Sequence, residues 1–152
     1  MKEIKKILVP IDFSENSTKL LDAATYFAGV CSAKLWIVFV AEDPFAYSGV
    51  YMPDTSIDMF EVDIFQEAEK KLENYLDEKM DKTVAFQGMV LQGHVAGEII
   101  RFAAEENMDL IIIGTHGYKG FDKMIFGSVA DKVVKKSPCP VITINTYGKS
   151  ER

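Results

Sequence analysis

Apolar and polar residues follow each other along the chain in two kinds of block. Short runs of branched apolar residues are typical of buried β-strands. After the first run, Leu20, Ala24 and Ala28 recur at a spacing of four, which is typical of a helix with one buried face. The pattern predicts strands over Ile4–Ile11, Leu35–Val40, Val84–Leu91, Leu110–Ile113 and Val141–Ile144.

Amphipathic segments separate these strands, and the longest of them is predicted over Asp58–Asp81. Strict alternation of strands and helices indicates an α/β fold with a parallel sheet covered on both faces. With right-handed crossovers we expect a five-stranded, doubly wound sheet of order 3-2-1-4-5, a Rossmann-like nucleotide-binding fold. Strands one and four then lie side by side, and a ligand is expected in the crevice at their carboxyl ends.

The inward side of the long helix is predicted to hold Phe60, Ile64, Ala68, Leu72, Tyr75 and Leu76, and that of the next helix Ile99, Ile100, Ala103 and Ala104.

The connection Glu42–Ile57 is longer than the ~2–6 residues usual between a strand and a helix. It leaves the carboxyl end of the second strand, so it reaches the rim where the ligand is expected. We interpret it either as a lid or as an ordered loop that covers an apolar edge or a subunit contact.

Composition fits a single globular domain over residues 1–152, because 48% of the residues are hydrophobic and 26% are charged. The net charge of −6 argues against a broad surface for nucleic acid, which needs many Lys and Arg contacts. The charged start, with Lys2, Lys5 and Lys6 before a short apolar run, resembles neither a signal peptide nor a membrane span. We therefore expect a cytoplasmic protein that does not enter a membrane.

Cysteine and histidine give no signal for a metal or for catalysis. Cys31, in a helix-like stretch, and Cys139, in a strand-like one, lack a partner at metal-ligand spacing, so we expect small core residues in a reducing compartment. His94 and His116 lie in separate loops without a set of acidic or histidine neighbours. We assign no catalytic residue and no metal site built from protein side chains.

A glycine-rich loop follows the fourth strand. It reads Gly114-Thr115-His116-Gly117, then nine residues, then Gly127-Ser128, which opens the last helix. Backbone N–H groups beside a helix N-terminus suit an anion. A dinucleotide fingerprint would follow the first strand, and a Walker loop would carry a lysine before Ser128, so both common phosphate loops are excluded.

This loop resembles the G-x-x-G-(nine)-G-[S/T] nucleotide motif of the universal stress protein family, in its ATP-binding branch. The segment Pro10–Ser17 is similar to the family's opening P-x-D-x-S-x-x-S, and Ser137–Val141 resembles its closing segment. The likeness covers nearly the whole chain except Glu42–Ile57. It implies a regulatory, ATP-binding protein of the stress response that forms a cytoplasmic homodimer.

The resemblance implies two halves of a nucleotide site. Glycines let phosphate oxygens reach backbone N–H groups, although they are also explained as turn glycines that need a positive φ. Asp12 either contacts ribose or adenine, helps to place a magnesium ion bound to the nucleotide, or caps the first helix, a role for which Ser14 is the other candidate. Val40 offers its backbone to adenine or is merely a core residue, and Lys119 is a phosphate contact or a solvated charge. The implied site comprises Pro10, Ile11, Asp12 and Val40 for adenosine, and Gly114, Thr115, His116, Gly117, Lys119, Gly120, Gly127, Ser128 and Val129 for the phosphates.

Three functions are compatible with these features. The first is a nucleotide-dependent switch that dimerises through the C-terminal edge strand and acts on an unidentified protein partner. The second is a slow ATP hydrolase or phosphoryl-transfer enzyme, for which the sequence supplies only a cation, through magnesium. The third is a nucleotide-free dimeric scaffold, against which the intact glycine spacing argues.

Overall fold

Five strands and four helices alternate in the part of the chain that the computed structural model describes, residues 2–42, 54–116 and 127–146, without the side chains of 54–61. All strand pairs are parallel, and the strand order β3-β2-β1-β4-β5 confirms the predicted doubly wound sheet. The elements are β1 (Lys6–Ile11), α1 (Glu15–Cys31), β2 (Lys34–Ala41), α2 (Asp54–Lys79), β3 (Phe86–Gln92), α3 (Val95–Glu105), β4 (Leu110–Gly114), α4 (Ser128–Lys136) and β5 (Val141–Ile144).

Four predicted boundaries are wrong by two or more residues, among them the start of β1, at Lys6 rather than Ile4, and the end of α2, at Lys79 rather than Asp81. Helix α2 begins at Asp54 rather than Asp58, so the end of the predicted linker is helical, and residues 43–53 of that linker lie outside the described residues. Strand β3 begins at Phe86 rather than Val84, because the Thr83 N–H donates to Asp81 Oδ1 at 2.9 Å and holds this segment in a turn.

Although α2 has 26 residues, none of the helices in the described ranges is long and apolar enough to cross a bilayer.

The core has two layers, one on each face of the sheet. Alternation along β1 sends Ile7 and Val9 to the face covered by α1 and α2, and Leu8 to the face covered by α3 and α4. On α3 the buried set includes Phe102 and not the predicted Ala104, which is exposed because it lies five positions after Ile99 and off the inward face. Both faces of the central strands are therefore dry, as expected of a parallel sheet.

Two glycines are required by the packing and the turns of this fold. A Cβ on Gly88 would lie 2.6 Å from Leu76 Cδ1, so the absence of a side chain lets α2 approach β3. Gly93 has φ +138° in the turn between β3 and α3, and its N–H donates to the carbonyl of Ala41 at 3.0 Å. The hydrogen bond between Gly93 and Ala41 joins the carboxyl ends of β2 and β3 at the rim that carries the site.

Both cysteines are free and half-buried. Cys31 ends α1, whereas Cys139 lies in the loop before β5 and not in a strand, because its neighbours Pro138 and Pro140 provide no ladder N–H. Burial raises the pKa of the Cys139 thiol, which lowers its thiolate fraction and hence its reactivity.

Candidate functional site

A cavity of about 640 Å³ opens where β1 and β4 separate. These strands pair only at Ile7 with Leu110 and Leu8 with Ile111, whereas β1 stays paired with β2 as far as Ile11. The pairing of β1 with β4 thus ends before their carboxyl ends, at the point where the strand order reverses. This is the position at which open parallel sheets bind ligands.

Ten of the residues predicted for the site line this one cavity. They come from the end of β1, the end of β2, the end of β4 and the start of α4, segments that are distant in the sequence. Gly117, Lys119 and Gly120 lie outside the described residues, so their part in the site stays a prediction. The ten are Pro10, Ile11, Asp12, Val40, Gly114, Thr115, His116, Gly127, Ser128 and Val129.

The lining also contains residues that were not predicted. Most follow from the fold, because the first turns of α1 and α3 start at the same rim, and the strand residues Phe39 and Ile113 sit next to predicted ones. Because these turns directly follow β1 and β3, their residues could have been predicted to line the site. The additional lining residues are Asn16, Ser17, Leu20, Phe39, Glu42, Val95, Ile99, Ile113 and Ala130.

Hydrogen bonds hold both ends of the glycine loop together. The Thr115 N–H donates to the carbonyl of Ile144 at 3.0 Å, and the Gly127 N–H donates to the carbonyl of Thr115 at 2.9 Å. The buried Thr115 hydroxyl lies 3.4 Å from the Ile144 carbonyl and 3.0 Å from His116 Nδ1. The loop between Thr115 and Gly127 therefore leaves and re-enters the fold at one fixed point beside the cavity.

Gly127 is not a turn glycine. Its φ is −56°, so the alternative that it needs a positive φ is wrong for this residue. A Cβ at Gly127 would lie 3.5 Å from the Thr115 carbonyl oxygen, an ordinary contact, so the described neighbours leave room for a side chain. As the N-cap of α4, Gly127 keeps the space before the first N–H groups of that helix open. Glycine is a favourable N-cap residue, and it also lets a ligand approach the helix N-terminus closely.

On the opposite side of the cavity, Asp12 is held by two serines. Its Oδ1 accepts from the Ser14 N–H at 3.0 Å, from the Ser14 hydroxyl at 2.6 Å and from the Ser17 hydroxyl at 2.9 Å. Ser14 is the N-cap of α1, but its side chain makes no capping hydrogen bond. Ser14 therefore occupies the predicted N-cap position, but its hydroxyl donates to Asp12 and makes no bond to the helix.

The turn between Asp12 and Ser14 places Phe13 at φ 65°, a region that bulky residues avoid. The Phe13 ring packs against Phe39 at 4.7 Å and Tyr75 at 5.3 Å between centroids, and Lys71 Nζ lies 4.6 Å from its centre. Because Phe39 lines the cavity and Tyr75 belongs to α2, these rings connect the cavity to that helix. Strained backbone of this kind persists where surrounding contacts determine it, as they do here.

The described lining carries carboxylates at Asp12 and Glu42, an imidazole at His116, and no Lys or Arg. A bound anion would depend on the positive end of α4 and on backbone N–H groups. In the described ranges no group of three or more His, Cys, Asp or Glu residues is arranged to hold a metal ion. The residues fit a cation that arrives with its ligand, because the carboxylate of Asp12 is an oxygen ligand of the kind that magnesium prefers.

Fold and cavity together define a doubly wound α/β protein with a cavity at its topological switch point, the position at which such folds bind ligands. The chain belongs to the universal stress protein family, whose model matches residues 3–145. This assignment confirms the resemblance found in the sequence.

Several relatives share most of their length with this chain. Universal stress protein YxiE of Bacillus subtilis is 35% identical over 144 residues, which cover 91% of this chain and 97% of that protein. Universal stress protein MJ0577 of Methanocaldococcus jannaschii is 30% identical over 152 residues, covering 92% and 94% respectively.

Solved structures show the same fold. The structure of MJ0577 superposes with a TM-score of 0.81 at 27% identity and covers 97% of this chain and 100% of that one. A universal stress protein from Archaeoglobus fulgidus, solved in complex with dAMP, superposes with a TM-score of 0.65 at 22% identity and covers 95% and 100%. At least one protein with this fold therefore binds a nucleotide.

Proposed function

We propose that this chain is an ATP-binding regulatory protein of the universal stress type, a single domain that acts in the cytoplasm as a nucleotide-dependent dimeric switch. One observation carries the proposal. The cavity at the switch point extends from the N-terminus of α4, where the N-cap residue Gly127 has no side chain, to the ends of β1 and β2. A nucleotide has an anionic phosphate part and a flat polar base, which suit the helix N-terminus at one end of the cavity and the strand ends at the other.

The phosphates bind along the glycine loop in this proposal. Gly114, Gly127 and the first N–H groups of α4, at Ser128 and Val129, face them, and Thr115 and His116 lie at the loop's pinned start. Gly117, Lys119 and Gly120 complete this half. Magnesium enters with the nucleotide, because the described lining has no Lys or Arg to balance a triphosphate.

Adenosine binds against the carboxyl ends of β1 and β2. Pro10 and Ile11 form the wall, the Val40 backbone reads the adenine edge, and Asp12 accepts from the ribose or holds the magnesium complex. The dAMP complex of the Archaeoglobus fulgidus protein supports this choice to the extent that the same fold accommodates an adenine nucleotide there.

We expect nucleotide binding to change the conformation of the protein. A nucleotide would contact both the hydrogen-bonded pair Thr115 and Gly127 and the strained turn at Asp12 and Phe13. The Phe13 ring in turn packs on Tyr75 of α2. Contacts at both points would stabilise one arrangement of the two relative to each other and so alter partner choice.

The first test is direct. The purified protein is denatured and its supernatant is analysed for adenine nucleotide, and magnesium-ATP is titrated against the thermal unfolding of the protein. A ligand at 100 times its dissociation constant stabilises the fold by about 2.7 kcal/mol, so the melting temperature rises. No released nucleotide together with no shift at millimolar ATP would contradict the proposal.

Gly127→Val supplies the site-specific comparison. The described neighbours leave room for a side chain at Gly127, whereas a valine fills the space before α4, so the variant should fold but lose the ATP-dependent shift. Gly29→Ala is the matched control, because no atom lies within 4 Å of a Cβ at this helical site far from the cavity. Phosphate release over hours, compared between wild type and Gly127→Val, tests slow hydrolysis, and equal release means that a contaminant produces it.

A further inference from the structure

Ser17 is the polar residue that α1 buries, and only 2% of it is exposed. It lies in the first turn of the helix and lines the cavity. A buried hydroxyl is costly unless both its donor and its acceptor functions are used.

The Ser17 hydroxyl is both a donor and an acceptor of hydrogen bonds with Asp12. It donates to Asp12 Oδ1 at 2.9 Å and accepts from the Asp12 N–H at 3.1 Å. The two bonds close a small ring that fixes the Asp12 backbone and its carboxylate relative to α1. Ser14 adds two further donors to the same carboxylate oxygen.

This hydrogen-bond network determines the orientation of the Asp12 carboxylate at the cavity. Three donors converge on Oδ1, so the plane of the carboxylate is fixed before any ligand arrives. The left-handed conformation of Phe13, between Asp12 and Ser14, brings the chain back so that Ser14 and Ser17 both reach that oxygen. Preorganisation of this kind strengthens binding, because the ligand does not have to order the group it contacts.

We propose that Ser17 is a positioning residue of the nucleotide site, which acts by holding the carboxylate of Asp12 in the orientation that contacts the nucleotide. Ser14 is the second residue of this support. The assignment rests on the proposed function, because it requires that the cavity binds magnesium-ATP. A merely structural Ser17 would change the stability of the protein without acting through Asp12.

The experiment is a double-mutant cycle on the full chain, in which calorimetric titration measures the dissociation constant for magnesium-ATP. Ser17→Ala should weaken binding about tenfold, equivalent to 1.4 kcal/mol. In the Asp12→Ala background the same substitution should weaken it less than twofold, because the group that Ser17 positions is already absent.

Thr25→Ala is the matched control. Thr25 lies on the same helix, and its hydroxyl also forms a local hydrogen bond, to the Leu21 carbonyl at 2.8 Å, but it does not line the cavity. This variant should bind magnesium-ATP within twofold of the wild type. Ligand-free melting curves of all variants separate loss of stability from loss of affinity.

Ser14→Ala keeps the test decisive if Ser17→Ala does not fold, since it removes a donor to the same oxygen without removing a helix cap, and it should weaken binding in the same direction. Wild-type affinity in Ser17→Ala, or an equal loss from Ser17→Ala in both backgrounds, would overturn the assignment while leaving nucleotide binding intact. Absence of binding by the wild type would overturn the proposed function itself, and the positioning role with it.

Discussion

Phe13 adopts a backbone conformation that ordinarily belongs to glycine. Its φ of 65° is costly for a residue with a Cβ, by roughly 1–2 kcal/mol. The ring compensates, because it packs edge-on against Tyr75 and tilted against Phe39. Phe13 therefore carries two opposing contributions to stability, one from its backbone and one from its ring, and different substitutions remove them separately.

Phe13→Gly is expected to be more stable than Phe13→Ala. Both lose the ring contacts, at a cost of roughly 2–3 kcal/mol for this half-buried side chain, but only glycine relieves the backbone strain. The glycine variant should therefore unfold with a free energy about 1 kcal/mol higher than that of the alanine variant, as measured by urea denaturation.

The same pair of substitutions at Tyr26 provides the control. This tyrosine is 69% exposed within α1, where the helical backbone favours alanine over glycine by about 1 kcal/mol. The order of the two variants should be opposite at the two sites. The same order at both would mean that the turn at Phe13 is not strained.

The amino ends of β1 and β4 are joined by Asp109. Its Oδ2 accepts from the backbone N–H groups of Lys5 and Lys6, each at 2.9 Å, and its own N–H donates to the Lys6 carbonyl at 2.9 Å. The side chain is 10% exposed. The N–H of Lys5, assisted by that of Lys6, lowers the pKa of the Asp109 carboxyl below its ordinary value.

Asp109→Asn should lower the free energy of unfolding at pH 7 by roughly 1–2 kcal/mol, because the hydrogen bonds to a charged acceptor become bonds to a neutral one. A lowered folded pKa means that the ionised form stabilises the protein above the unfolded value of about 3.9, and that this contribution is lost as the pH falls through the folded value. The difference between the variants should therefore shrink at pH 3. Urea denaturation at both pH values measures it.

The control for this prediction is Asp77→Asn, the same change at an exposed position of α2. It should change stability by less than about 0.5 kcal/mol at either pH. A wild-type advantage over Asp109→Asn that persisted unchanged at pH 3 would contradict the electrostatic origin of the effect.

The order and type of these elements could be predicted because apolar runs and amphipathic segments alternate, and that alternation allows few topologies. The start of α2 could not, because Asp54, Thr55 and Ser56 are as typical of a turn as of a helix N-terminus. Ala104 was misassigned since a shift of one position rotates a helix face by about 100°. Each error lies at a boundary or a helix phase, where local sequence decides least.

The site shows a similar division. The glycine spacing and the Asp12 segment predicted which stretches meet, because parallel strands bring their carboxyl ends to one edge. That Ser17 closes a ring with Asp12, and that Gly127 has a negative φ, depends on side-chain and backbone geometry that no residue pattern determines. The site residues follow from sequence, whereas their support does not.

Strand β5 is an edge of the sheet, because its described neighbour is β4 alone. Carbonyls of Pro140 and Ile144 accept from Ile111 and Thr115 of the β4 side, each at 3.0 Å. Since backbone groups alternate in direction along a strand, those of Val141 and Thr143 point away from β4. This outward row is the surface through which we propose that two copies pair to form the dimer.

Thr143→Pro should separate such a dimer without unfolding the protomer. Proline removes the outward N–H of Thr143 but no hydrogen bond to β4, and an edge strand tolerates it. Sedimentation velocity at micromolar concentration should show a dimer for the wild type and a monomer for the variant, with the same circular dichroism spectrum for both.

Gln92→Pro places the same change on the opposite edge, at an exposed position of β3, where the backbone N–H is directed away from β2 by the same alternation. It should leave the sedimentation coefficient of the dimer unchanged, because only β5 is proposed to pair. A monomeric wild type, or dissociation caused by Gln92→Pro and not by Thr143→Pro, would contradict pairing through β5. The two prolines together distinguish a specific strand contact from a general effect of proline on the sheet, since each removes one outward donor from a different edge.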